Sequence, residues 1–284
     1  MMRYYRGDLA GTEEHFARGL KFFEDTAIWP LPSYRLSPFG VASLNAWTLR
    51  RADLARERLA RMMAETNENN PAGVAWYGCL GAGTYLLLRE SERAEMLAAR
   101  ALELSGKHHM ANIAERARCV LGMARAELGR PSEGVALIRQ GIAGLAAIGA
   151  HEDAYTVYLA HAQALTGATG DALETIEQVL QPNRPDANKD IQPEAFRLRG
   201  ELQTKQGRRE PAEADFRTAL TLARSMDAKA WELRAAMSLA RLLRDTGRRD
   251  EAHMMLADIY NWFTEGFDTA DLKEAKVLLD ELSA

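Results

Sequence analysis

Six histidines (His15, His108, His109, His151, His161 and His253) are the side chains best suited to acid–base or metal chemistry, and they are scattered along the chain. A metal site on a helix sets two imidazoles one turn apart as His-x-x-x-His, or supplies thiolates as Cys-x-x-Cys. Neither spacing occurs. Ser105-Gly106-Lys107-His108 comes nearest to a phosphate loop, but it lacks the first glycine and the hydroxyl after the lysine. Without that backbone cradle and lysine the chain is predicted neither to bind nor to hydrolyse ATP. No serine, histidine and acid arrangement can be picked out from spacing. The sequence therefore assigns no catalytic residue, no metal ligand and no cofactor.

Composition narrows the classes further. The 284 residues carry 36 Lys and Arg against 40 Asp and Glu, a formal net charge of −4. A surface that gathers phosphates needs a basic surplus, so direct nucleic-acid binding is not expected. The apolar share of 47% suits a folded chain. The longest uncharged, mostly apolar run, from Ala72 to Leu88, holds four glycines and falls short of the roughly 18 residues a membrane span requires. Nothing at the N-terminus reads as a signal peptide, and two cysteines make no disulfide framework. The expected location is the cytoplasm, with no membrane partner.

The strongest pattern is a pair of small residues twelve apart: Ser43 and Ala55, Ala82 and Ala94, Gly122 and Gly134, Ala160 and Ala172, Gly200 and Ala212, Ala240 and Ala252. Successive pairs start 39, 40, 38, 40 and 40 residues apart. Small residues on consecutive antiparallel helices let the backbones approach closely. Four residues after the second one stands Leu59, Ile138, Ile176, Phe216 or Leu256, with Ala98 in the remaining case. Glycines at Gly129, Gly167, Gly207 and Gly247 mark the turns between the two helices. In the last hairpin Leu233, Ala236, Leu239, Ala240 and Leu243 share one face, and Arg234, Arg241, Arg244 and Asp245 another. No sustained strand alternation appears, so the fold class is all-α.

This pattern resembles the tetratricopeptide repeat, with Leu121-Gly122 and Leu159-Ala160 at its Leu-Gly positions and Phe196, Gly200, Ala212 and Phe216 fitting further on. The resemblance implies a helical-hairpin solenoid coiled as a right-handed superhelix, here with a period of about 40 residues. The expected division is a partial first repeat over 1–24, six hairpins over 25–268, and a C-terminal capping helix over 269–284 whose Leu272, Ala275, Leu279 and Leu282 share a face. An open solenoid is elongated, with a radius of gyration well above the roughly 19 Å of a compact chain this long. The stretches Trp231–Leu242 and Trp262–Leu272 resemble the C-terminal tetratricopeptide region of bacterial multidomain signalling proteins. Those carry a class III nucleotidyl cyclase or winged-helix domain, then a signal-transduction ATPase, then these repeats. Neither the ATPase phosphate loop nor a cyclase carboxylate pair is present. Gly7-Asp8-Leu9 reads as a turn between helices, so the chain begins in mid-repeat, either with a short cap or as the C-terminal portion of a longer polypeptide.

Mapping the repeat's inner-face positions onto two late hairpins selects Glu194, Arg197, Glu201, Thr204 and Lys205, then Arg234, Met237, Arg241, Arg244 and Asp245. Arg197, Lys205, Arg234, Arg241 and Arg244 form either a solvated face of intrahelical ion pairs or a cradle for an acidic peptide or carboxylate. Trp47 and Trp76 also fall at inner positions, and Trp76 joins the five basic residues as a binding candidate. Cys79 and Cys119 occupy equivalent inner positions, about 10 Å apart by helix packing, and are expected to be free thiols. Connections over 25–40 (Trp29, Pro30, Pro32, Tyr34, Pro38) and 181–192 interrupt the pattern. The first is a binding loop or a crossover, and the second a flexible insertion. The expected function is a non-catalytic protein- or ligand-binding regulatory module, sensor or scaffold of a larger signalling protein. The alternatives are an enzyme with a site built across the solenoid, and a DNA-binding regulator acting through another domain.

Overall fold

The computed structural model describes residues 2–24, 37–182, 184 and 187–283, and among them it has fifteen α-helices, one short 3-10 turn and no strand. Helices α1 (Met2–Tyr5) and α2 (Leu9–Glu24) lead into a series of hairpins. These pair α3 (Ser37–Thr48) with α4 (Ala52–Ala64), α5 (Pro71–Leu87) with α6 (Ser91–Lys107), and α7 (Ala111–Glu127) with α8 (Pro131–Ala147). They continue as α9 (Asp153–Leu165) with α10 (Thr169–Leu180), α11 (Gln192–Lys205) with α12 (Arg209–Ser225), and α13 (Lys229–Asp245) with α14 (Arg249–Tyr260). Helix α15 (Ala270–Ser283) ends the chain's described part. The connection expected over 25–40 is helical from Ser37 onward, and Trp29, Pro30, Pro32 and Tyr34 lie outside the described residues.

Close backbone approach is the reason for the small pairs, and every member of the six is buried. A Cβ added at Gly122 would stand 2.8 Å from the Gly134 carbonyl oxygen, and one at Gly134 would stand 2.5 Å from that of Gly122. Nothing larger fits between α7 and α8. The apolar residues that follow each pair, from Leu59 to Leu256, are fully buried between successive hairpins. The result is a solenoid whose buried apolar residues form a series of clusters along the hairpins.

The turns carry a second message. Gly247 closes the last hairpin with a backbone φ of 81°, the left-handed region that glycine enters freely. The equivalent positions in the first two hairpins are Arg50, at φ 69°, and Arg89, at φ 60°. A side chain held there costs roughly 1–2 kcal/mol. Both arginines reach across to the far end of the chain. Arg50 Nη1 donates to the Trp262 carbonyl at 2.6 Å, and Arg89 Nη1 lies 2.6 Å from Glu274 and 3.5 Å from Asp271. The strain at the turns is offset by contacts more than 180 residues away.

These bonds belong to a seam that closes the solenoid into a ring. The Trp47 and Trp231 rings meet edge-on at 4.8 Å, with the Arg234 guanidinium over both, at 4.8 and 5.4 Å. Arg234 also donates to the Leu87 carbonyl at 2.7 Å and to Asp271 at 2.8 Å. Helix α4 starts without a side-chain cap of its own, and Glu265 supplies one by accepting the Asp53 and Leu54 amides at 3.0 and 3.4 Å. Arg56 pairs with Asp268 at 3.1 Å. The elongated, open particle expected from the repeat is therefore corrected. Two ends that carry mutually complementary side chains meet instead of facing water.

Several described residues of the insertion over 181–192 are held by buried partners. Asp153, fully buried, accepts from the Asn188 amide at 2.8 Å and pairs with Arg184 at 2.8 Å. Asp190 and Ile191 are then buried at the turn Lys189–Ile191, against α1. One buried acid thus holds Arg184 and Asn188, whose polar surroundings in sequence give no hint of it.

Candidate functional site

Inside the ring lies a cavity of about 440 Å³, lined by the first helices of successive hairpins (α5, α7, α9, α11 and α13) and by α15. Sequence repeats place these walls. In the last four hairpins the residue one past the first small residue faces inward, which brings Met123, His161, Glu201 and Arg241 to the same level of adjacent helices. The residue four further on does the same with Glu127 and Leu165.

Of the six candidates named by sequence, three reach this cavity: Arg197, Arg234 and Arg241. Lys205 is exposed, and Arg244 pairs with Asp245 and Glu281 at 3.0 and 2.7 Å. Neither lines the cavity. Trp76 is half-buried and packs on the cluster of Phe16, Phe39 and Tyr77, away from the cavity wall. Trp47 is buried in the seam. Cys79 and Cys119 are buried free thiols, not groove residues, and burial pushes the Cys79 thiol up to about 12.

Arginine does not stand alone in the cavity. Arg197 holds Glu194 through two bonds of 2.7 Å and also pairs with Glu201, which accepts from Ser238 at 2.9 Å. Burial works against the charge of Arg197, but Glu194 and Glu201 outweigh it and keep the guanidinium above its ordinary range. Burial likewise raises the Glu194 carboxyl, and Arg197 more than reverses it. Arg234 is held by Asp271, Arg89 by Glu274, and Arg241 reaches Glu274 at 3.4 Å. Four arginines are thus matched by four carboxylates.

A fifth carboxylate, Glu127, is exposed to the cavity and accepts a hydrogen bond from the Ser91 hydroxyl. Among the described residues no arginine or lysine stands within ion-pair distance of it. Nearby His161 is half-buried, and burial, more than the opposing field of Glu127, lowers its pKa. Leu86, Leu87, Met123, Val157, Leu165, Ile191 and Met237 supply the apolar part of the wall. The arrangement can hold a ligand that is apolar over much of its surface and polar at a few points. Among the described residues no three His, Cys, Asp or Glu side chains cluster as a metal site, and no helix is long and apolar enough to cross a membrane.

Sequence reasoning missed Arg89, Glu127, His161, Asp271 and Glu274. The signal for Glu127 and His161 was present, since the inner-face mapping applied to the third and fourth hairpins selects both. Asp271 and Glu274 belong to the helix outside the repeat, and only ring closure brings them in.

The fold is similar to that of NprR in complex with its cognate peptide NprX, with a TM-score of 0.67 and 12% identity, over 96% of this chain and 85% of that one. It is similar also to a Rap protein complexed with competence and sporulation factor, with a TM-score of 0.63 and 12% identity, over 96% and 80% of the two chains. A tetratricopeptide repeat protein from Parabacteroides merdae gives a TM-score of 0.58 and 13% identity, over 98% and 94%. At these identities the likeness is one of fold. No protein-family model matches the sequence, and no curated protein matches it.

Proposed function

We propose that this chain is a non-catalytic binding and regulatory module that takes a short peptide or small ligand into the cavity inside the ring. The observation that carries this reading is the position of the cavity, between the inner helices and the seam. A ligand touching Leu87, Arg234, Asp271 and Glu274 contacts both sides of the closure at once. Its binding free energy therefore differs between a closed and an open ring, which is the requirement for a ligand to shift a conformational equilibrium. The similar folds of NprR, in complex with its cognate peptide NprX, and of the Rap protein, complexed with competence and sporulation factor, support the same class of function. We further read the chain as the sensor or scaffold part of a larger signalling polypeptide, on the resemblance of Trp231–Leu242 and Trp262–Leu272. A mass measurement on the native gene product tests that part.

The cavity reading is tested by equilibrium binding of a mixed library of short peptides and small molecules. Leu165 lines the cavity and is 44% exposed, so Leu165→Trp narrows the space without burdening the core. Ligands that bind the unmodified chain are expected to be lost from this variant, with helicity unchanged. Equal binding by both would place the site elsewhere on the molecule.

A further inference from the structure

The charge pairing inside the cavity points to the ligand's chemistry, an inference that rests on the cavity being the binding site. Four arginines face four carboxylates, each within ion-pair distance of a partner, so an anion binding there competes with a carboxylate already in place. Arg241 is the loosest of the four, at 3.4 Å from Glu274, and Glu274 also holds Arg89 at 2.6 Å. Glu127 is different. Its carboxylate faces the cavity with a neutral donor, the Ser91 hydroxyl, and among the described residues no arginine or lysine stands within ion-pair distance of it. A cation arriving at Glu127 gains a charge-assisted bond without displacing any pair. It also brings the lining, which has one more carboxylate than arginine, to neutrality.

Size limits the rest of the ligand. A cavity of about 440 Å³ is at the small end of the roughly 300–1,000 Å³ range of small-ligand sites. The wall beside Glu127 is made by Met123 of the same helix and by Val157, Tyr158, His161 and Leu165 of the next, apolar but for one phenol and one imidazole. We propose that the cavity takes a primary ammonium group on a small apolar body, with the ammonium seated on the Glu127 carboxylate. Such a group belongs equally to a small organic amine and to the free N-terminus of a short apolar peptide. Glu127 is the specificity-determining residue, and the four paired arginines shape the cavity and exclude a second cation.

Matched probes test this in thermal-shift and calorimetric titrations of the full chain. Phenethylamine is set against 3-phenylpropanoate, and the dipeptide amide Phe-Leu-NH2 against N-acetyl-Phe-Leu carboxylate. The cationic member of at least one pair is expected to bind the chain, and its anionic counterpart to bind at least tenfold more weakly. Glu127→Gln keeps an acceptor for Ser91 and removes the charge, and it is expected to weaken the cationic probe tenfold or more. Glu251→Gln, on the outer surface, is expected to leave binding unchanged. The amine pair and the dipeptide pair separate the two sources of ammonium. Stronger binding of the anions, or indifference to Glu127→Gln, overturns the proposed ligand chemistry. If such binding is still abolished by Leu165→Trp, the cavity remains the binding site. Failure of every probe, and of the library, removes both readings together.

Discussion

Two sets of arginine–carboxylate pairs, one outside the ring and one inside it, are built from the same residue types at the same helical spacings. Outside, Arg217 and Arg248 bridge Glu213 and Glu251 at 2.7 to 2.9 Å across two neighbouring hairpins. Inside, Arg197 bridges Glu194 and Glu201 and touches Ser238 of the next hairpin at 3.3 Å. The outer arginine side chains are 41–48% exposed, and Arg197 is 12% exposed. Exposure decides what each set is worth. Solvated pairs trade one good environment for another, and buried ones cannot lose a partner without leaving a charge stranded.

The largest expected effect follows from that asymmetry. Arg197→Met leaves the buried Glu194 uncompensated and should cost roughly 3–5 kcal/mol in denaturant unfolding. A loss below 1 kcal/mol would show that water reaches these groups freely and that the two sets are alike. A test of ligand binding that reverses the charge at Arg197 would therefore confuse unfolding with lost recognition.

Asp190 sharpens the comparison from the other side, as a buried carboxyl with no ion-pair partner among the described residues. Burial pushes it from an ordinary 3.8 up to about 7, and the charge of Asp153 adds to this. One of its oxygens has no hydrogen-bond partner. Between about pH 4 and pH 7 the folded chain holds a proton that the unfolded chain releases, so stability falls as pH rises through that window. Asp190→Asn should therefore stabilise the chain above pH 7, by at most ~4 kcal/mol if the whole shift is realised, and change little below pH 4. Melting curves of the two proteins that run parallel from pH 4 to 8 would contradict the assignment.

The smallest effect belongs to the outer set. Arg217→Ala should change stability by only ~0–1 kcal/mol, and less at high salt. A larger, salt-independent loss would mean that the outer ladder helps to hold the hairpins together.

Much of this was legible in the chain itself. The small pairs and their spacing give the hairpins because close helix approach is a local, repeated demand, satisfied at Gly122 and Gly134 in the same way as at Ala240 and Ala252. Periodicity also gives the inner level of the cavity, which is why Arg197, Arg234 and Arg241 were found. It says nothing of contacts that occur once. The ring depends on single long-range bonds such as Arg50 to Trp262 and Glu265 to α4, and each looks like an ordinary surface residue in sequence. The one available hint was arginine at the turn positions where later hairpins place glycine. Without the closure the sequence leaves open a basic cradle beside a face of intrahelical ion pairs, since Asp271 and Glu274, which pair with Arg234 and Arg241, come from the far end of the chain.

Closure is the claim on which both the cavity and its ligand depend, and small-angle scattering tests it most directly. Arg50→Gly with Arg89→Gly gives both turns the residue used by the later hairpins, relieving local strain while removing two of the seam's bonds. The closed ring predicts a radius of gyration close to the roughly 19 Å of a compact chain, and a measurable increase in the double variant at unchanged helicity. An unmodified chain already far longer than this, and no longer in the variant, would contradict it.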